Sequence, residues 1–246
     1  MDRKNMVRTD FAGRVALVTG AGAGIGREIA LRLGALGYSL ALLGRNEDKL
    51  RAAAEQAGCG DGALLIAGDL LDPAFLQGVI GRVVKHFGRI DVLVNNAGVC
   101  NVKPLEETSY GELDVMMKTN VYAPYMLCRD AIDPLRRSDC ATIINIGSVV
   151  SHKGYVNQSA YGATKHALMG LTRTLAAEVY RDGIRVHIIC PGAVDTGMAG
   201  IARPDLEASG LILPEDIVDV VEFLLTHRGN AVIDEVQLHR VGKEPF

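Results

Sequence analysis

The chain of 246 residues contains no tryptophan, and aromatic residues make up only 5% of it. Its charge is nearly balanced, with 26 Lys and Arg against 29 Asp and Glu. Without a basic stripe or stacking aromatics the footprint of a nucleic-acid-binding protein is missing, and no nucleic-acid partner is expected. The 5 cysteines (Cys59, Cys100, Cys128, Cys140 and Cys190) are scattered, with no C-x-x-C spacing. This excludes a disulfide framework and fits free thiols in a reducing cytoplasm. None of the 6 histidines belongs to an H-E-x-x-H pair, so no metal is expected. Met1 to Asp10 is charged and lacks the apolar run of a signal peptide. No stretch approaches the roughly 18 uninterrupted apolar residues of a membrane span. The expectation is a cytoplasmic protein with no membrane partner.

What the chain does have is glycine, 28 in all, with 8 prolines and no G-X-Y period. The usual share of glycine is about 7%, so the excess points to a local use rather than to collagen or a linker. Short apolar runs alternate with helical patterns from end to end. Strands are predicted at Arg14–Thr19, Tyr38–Leu43, Ala63–Ala67, Ile90–Val94, Thr142–Ile146, Arg185–Ile189 and near Val232–Leu238. Helices are predicted at Ile25–Leu36, Glu47–Ala57 (capped by Asn46), from Asp72-Pro73 to Phe87, at Ser159–Tyr180 and at Glu215–Thr226. A longer helical stretch, Ser109–Arg136, contains Pro124, which should bend or break it. Strands apolar on both faces, each followed by a helix, define a doubly wound α/β fold with a mostly parallel seven-stranded sheet. The expected organisation is an N-terminal extension over residues 1–12 and one domain over 13–246.

Between the first strand and first helix lies Thr19-Gly20-Ala21-Gly22-Ala23-Gly24-Ile25-Gly26. Glycines there let the backbone turn tightly and approach a pyrophosphate at the helix start, where unsatisfied N–H groups attract anions. The spacing is G-x-x-x-G-x-G, through Gly20, Gly24 and Gly26, rather than G-x-G-x-x-G. Taken alone, the segment also reads as a flexible glycine-rich turn. An acidic residue at the tip of the second strand would bind the ribose hydroxyls of NAD. Here that tip reads Gly44-Arg45-Asn46, and an arginine suits a 2′-phosphate, so NADP(H) is favoured over NAD(H). The plainer reading of Arg45 is a solvated residue opening a surface helix. Asp69-Leu70, ending the third strand, is placed to meet an adenine edge or to make a turn.

Tyr161 and Lys165 share a helix face at i and i+4. A free phenol has a pKa of about 10, and a neighbouring cation lowers it toward use as an acid or base. Ser148 follows the strand Thr142–Ile146 at the carboxyl edge, where ligands bind in such sheets. Its hydroxyl suits the holding of a substrate oxygen. It lacks the G-x-S-x-G context of a nucleophile.

Together these segments resemble the short-chain dehydrogenases/reductases over about Gly13 to Pro214. The resemblance rests on Thr19 to Gly26, on Asn95-Asn96-Ala97-Gly98 after the fourth strand, and on Pro191-Gly192 with Thr196 after the sixth. It rests also on Asn120, Ser148, Tyr161 and Lys165, which match the family's active-site set. The resemblance implies proton exchange between Tyr161 and a carbonyl or secondary alcohol while hydride passes to or from the nicotinamide. Lys165 would lower the Tyr161 pKa and hold the nicotinamide ribose, Ser148 would orient the substrate, and Asn120 would anchor a water. Gly20, Ala23, Gly24, Ile25, Gly26, Arg45, Asn46, Asp69 and Leu70 would line the cofactor. So would Asn96, Ala97, Gly98, Pro191, Gly192, Val194 and Thr196, besides Tyr161 and Lys165.

The substrate is expected to be a small carbonyl or alcohol, with a ketone or 3-oxoacyl-type reductase leading. An alcohol or polyol dehydrogenase and a non-catalytic NADP(H)-sensing protein are the alternatives. Two departures from the family stand out. The segment 197–213 is short for a substrate lid, and the C-terminal tail is polar where many relatives carry a glycine-rich one. The helical stretches Ser109–Arg136 and Ser159–Tyr180 correspond to the family's dimer-forming pair, so a homodimer is expected, or a homotetramer.

Overall fold

The computed structural model describes residues 11–202 and 210–243. Most of the expected N-terminal extension, residues 203–209 of the short 197–213 segment, and the last three residues lie outside the described residues. Among those described, seven strands form one sheet: β1 (Val15–Thr19), β2 (Ser39–Gly44), β3 (Leu64–Ala67), β4 (Val92–Asn95), β5 (Thr142–Ile146), β6 (Arg185–Pro191) and β7 (Glu235–Leu238). Their order is β3-β2-β1-β4-β5-β6-β7, and every pair is parallel. The sheet is therefore wholly parallel, where the sequence predicts it only mostly so.

The pleat sorts side chains to the two faces. Ala16 and Val18 meet Ile29 and Leu33 of α1 (Gly24–Ala35), Leu50 of α2 (Glu47–Gln56) and Val221 of α8 (Pro214–Thr226). Val15 and Leu17 meet Val79 of α3 (Pro73–Phe87), Leu127 of α5 (Ala123–Leu135) and Leu175 of α6 (Ser159–Val179). Burial on both faces is why these strands read as unbroken apolar runs. No described helix is long and apolar enough to cross a membrane.

Local chemistry sets several boundaries. Asn46 caps α2 by accepting from Lys49 N–H at 3.0 Å. Asp72 caps α3 by accepting from Ala74 N–H at 2.9 Å, with Pro73 in its first turn. The stretch predicted over Ser109–Arg136 is divided into α4 (Tyr110–Met117), a π-helical turn over Lys118–Tyr122, and α5. Pro124 is the cause, since it has no N–H for the Asn120 carbonyl, and the helix widens one turn before it. β7 is shorter than Val232–Leu238, because pairing with β6 starts at Ile188↔Glu235 and leaves Val232 and Ile233 exposed. A short helix, α7 (Gly197–Ala202), follows β6.

Chain winding reverses between β1 and β4, and a crevice opens at their carboxyl ends.

Candidate active site

Gly20 and Gly24 have φ of +67° and +52°, the left-handed region that favours glycine. Gly26 is needed for a different reason. A Cβ there would stand 2.3 Å from Asn96 Nδ2 and 2.4 Å from the Gly20 carbonyl oxygen. Thr19 secures the same junction, its hydroxyl accepting from the N–H groups of Asn96 and Ala97, both at 3.0 Å. The Asn96 side-chain amide donates to the Thr19 carbonyl at 2.9 Å. The start of α1 has neither a side-chain cap nor an acidic residue in its first turn. Its leading N–H groups thus have no side-chain cap at the edge of the crevice, an arrangement that suits an anion.

The crevice is a cleft of about 570 Å³ along the carboxyl ends of the strands. Gly20, Ala23, Gly24 and Ile25 line it from the glycine loop. Arg45 comes from the end of β2, and Asp69 and Leu70 come from the end of β3. Asn96, Ala97 and Gly98 follow β4, while Pro191, Gly192, Val194 and Thr196 come from β6 and the segment after it. Ser148, Tyr161 and Lys165 complete the wall.

Three residues expected at the site do not line the cleft. Gly26 is buried beneath the loop, where its missing side chain permits the Gly20–Asn96 contact. Asn46 is turned onto its own helix as the cap of α2. Asn120 is 1% exposed, and its side chain is spent inside the protein. It accepts from Val99 N–H at 2.9 Å and donates to the Val99 carbonyl at 2.8 Å and the Thr164 hydroxyl at 3.0 Å. With both amide protons so engaged, the side chain braces the segment after β4 against α6.

Ser148 starts a tight turn, its hydroxyl accepting from Val150 N–H at 3.2 Å while its own N–H donates to Ser151 at 3.3 Å. The Lys165 ammonium donates to the Ile146 carbonyl at 2.9 Å and stands 5.7 Å from the centre of the Tyr161 ring. Burial lowers the Lys165 pKa to about 8. Burial also holds the Tyr161 phenol above its ordinary value; the nearby Cys100 adds to this, and a hydrogen bond with Ser148 opposes it. The net shift of the phenol is upward, because its desolvation outweighs the neighbouring groups.

Thr19, named by sequence only as part of the glycine segment, builds the loop, and Tyr155, Gln158, Arg240 and Lys243, not singled out by sequence, line the cleft. Thr19 had a signal, its place at the head of the glycine segment. Arg240 and Lys243 have none until the direction of β7 is known.

This is the layout of a Rossmann-type oxidoreductase: a parallel sheet, a glycine loop at its switch point, and a Ser-Tyr-Lys group across one cleft. The family model described as short chain dehydrogenase matches residues 14–207, and the chain belongs to that family. A curated relative is the 3-oxoacyl-[acyl-carrier-protein] reductase of Salmonella typhimurium, 31% identical over 92% of this chain and 95% of its own. A short chain dehydrogenase from Shigella flexneri, solved in complex with NADP, superposes with a TM-score of 0.86. It is 32% identical and covers 94% of this chain and 98% of that one. A 3-ketoacyl-(acyl-carrier-protein) reductase from Brucella melitensis, solved with NADH, gives 0.84 at 27% identity over 93% and 97% of the two chains.

Proposed function

We propose that the protein is an NADP(H)-dependent reductase of a ketone or 3-oxoacyl-type carbonyl compound. The observation that carries this reading is the placing of Ser148, Tyr161 and Lys165 on one wall of the cleft whose other end is the glycine loop. The fit to a dinucleotide rests on the uncapped start of α1 and on a loop with no room for side chains at Gly20 and Gly26. Gly24, Ile25 and the first amides of α1 would hold the pyrophosphate, and Arg45, exposed at the rim, the 2′-phosphate. The bound nicotinamide supplies hydride. Neighbours carrying NADP support the cofactor reading, although one neighbour carries NADH.

Tyr161 would give its proton to the carbonyl oxygen as the carbon is reduced. Its raised pKa keeps the phenol protonated at neutral pH, the form in which a general acid acts. Ser148, fixed by its own turn, would hold the same oxygen in hydrogen-bond reach. Lys165, held by the Ile146 carbonyl, would keep positive charge beside the phenol as the proton leaves. Asn120 acts at one remove, setting Val99 and α6 in place. The test is NADPH oxidation over a panel of ketones, aldehydes and quinones with wild type and Tyr161→Phe. Tyr161→Phe should lose turnover and keep NADPH affinity; a near-normal rate would remove Tyr161 from the mechanism. Exposed Tyr122 and Tyr125 near the start of α5 support assembly as a homodimer through that face.

A further inference from the structure

Gln158 lines the cleft and is 7% exposed. Its main chain is engaged, with the N–H donating to the Tyr155 carbonyl at 3.2 Å and the carbonyl accepting from Gly162 N–H at 2.7 Å. It occupies the cap position of α6, but its side chain makes no cap hydrogen bond, being longer than the Ser, Thr, Asp and Asn that serve there. The side-chain amide has no hydrogen-bond partner among the described residues. A carboxamide carries two N–H donors and an acceptor, and leaving such groups dry and unpaired costs about 1–3 kcal/mol each. Other polar atoms without a partner, Asn95 Oδ1 and His187 Nε2, are sealed inside the protein. Gln158 differs because it stands on the cleft, where a ligand reaches it.

The chain fixes this amide beside the reacting centre. Asn157, just before it, has φ of +63°, and its carbonyl accepts from Lys103 N–H at 2.8 Å. That bond ties the start of α6 to the segment after β4, which supplies Val99 to the cleft. Gln158 and Tyr161 stand at i and i+3, a spacing that on one helix face brings the Cβ atoms to roughly 5–6 Å. The wall around Tyr161 is largely apolar: Val149 and Val150 belong to its cluster, Val99 packs against it, and all three line the cleft. A polar group set in an apolar wall is how a pocket fixes the orientation of its ligand. Being uncharged, the amide matches a neutral oxygen, and its nearness to Tyr161 matches an oxygen a few bonds from the reacting carbonyl.

We propose that Gln158 determines specificity by donating to a second carbonyl oxygen of the substrate, β to the carbonyl that Tyr161 protonates. The substrate class is then a β-dicarbonyl compound, such as a 3-oxo ester or thioester, rather than a simple ketone or a quinone. The inference rests on the reductase reading and names the residue by which that site tells its substrate class apart.

The test uses full-length protein with NADPH and compares ethyl acetoacetate with 2-heptanone, a chain of the same length without the ester oxygens. The ester is intrinsically the more reactive carbonyl compound, so the readout is the change in the kcat/KM ratio between wild type and variant. Gln158→Met keeps the length of the side chain and removes the amide. In it the ratio of ester to ketone should fall roughly tenfold, the effect of one hydrogen bond lost from a buried site. Where 2-heptanone binds without being reduced, its inhibition constant takes the place of kcat/KM. Because both compounds are compared within each variant, a loss of folded protein does not change the ratio, and Gln158→Leu serves the same comparison if Gln158→Met does not fold. A ratio within about twofold of wild type overturns the inference and leaves the reductase reading standing. So does a wild type that reduces 2-heptanone and not the ester. A fall in NADPH affinity that matches an equal fall in kcat/KM for both compounds assigns the amide to the cofactor, which also overturns it. No NADPH oxidation with any carbonyl removes the reductase reading and this inference with it.

Discussion

Thr19→Val tests whether the floor of the cleft is locked by a side chain or by the sheet alone. Backbone pairing between β1 and β4 covers Ala16↔Val92, Leu17↔Leu93 and Val18↔Val94 and then stops. Thr19 extends the junction by one hydroxyl, 2% exposed, that accepts from Asn96 and Ala97 N–H and lies 3.4 Å from the Val94 carbonyl. Valine has the same shape and no acceptor, so two amides lose their partner. Each such loss costs about 1–3 kcal/mol. Because Asn96 and Ala97 are half-buried, the pair belongs in the lower part of that range, about 2–4 kcal/mol in sum. The extra buried methyl returns about 1 kcal/mol, leaving a net loss of about 1–3 kcal/mol.

Urea unfolding should show this as a lower midpoint at unchanged slope. Thermal unfolding should show a fall of about 2–4 °C for each kcal/mol lost. Amide exchange separates the cause from loss of packing. In Thr19→Val the amides of residues 96 and 97 should exchange faster, while Thr19→Ser keeps the acceptor and their protection. A Thr19→Val protein that loses less than about 0.5 kcal/mol and keeps both amides protected would refute the reasoning, since at least one unsatisfied amide must appear in the balance.

Arg45→Asp should weaken NADPH more than NADH, measured as the ratio of dissociation constants; equal losses would detach Arg45 from the 2′-phosphate. Gly26→Ala forces a methyl against backbone and amide atoms, so it should cost about 1–3 kcal/mol and weaken NADPH binding, read by nucleotide titration. Unchanged affinity would show that the loop does not depend on the Gly26–Asn96 approach. Burial alone would push Asp91 up, but hydrogen bonds from Arg89, Ser138 and Val15 N–H outweigh it and hold the carboxyl below its usual range. Its stabilisation is therefore complete above the ordinary carboxylate value near pH 4 and is lost as pH falls through the folded value. Asp91→Asn should be less stable at neutral pH by about 3–5 kcal/mol and show a flatter acid limb in urea titrations at stepped pH; an unchanged limb would contradict the assignment.

Much of this molecule is legible locally. Asn46, Asp72-Pro73 and the run Thr142–Ile146 mark element ends because a cap, a proline or an apolar run acts on its nearest neighbours. The glycine loop and the Ser148, Tyr161 and Lys165 set are legible for a related reason, since each couples a residue type to a place in a β-α unit. What escapes is whatever depends on which segments meet. Asn120 has the right type for a polar site, yet the widened turn before Pro124 directs its side chain to Val99 and Thr164. Gly26 stands in a nucleotide motif, yet its contacts are with Asn96 and Gly20, far apart in the chain from each other. Arg240 and Lys243 look like a polar tail until a parallel β7 delivers them to the cleft.

The same dependence on packing governs the chemistry of the Tyr-Lys pair. Sequence spacing alone suggests that the ammonium makes the phenol more acidic. Packing buries both groups, which raises the phenol and lowers the ammonium to about 8. Desolvation disfavours the charged form of each, and the two shifts therefore have opposite signs. The result is a phenol that keeps its proton beside a lysine that is still mostly cationic at neutral pH. A protonated phenol serves carbonyl reduction, whereas alcohol oxidation requires the phenolate that burial resists.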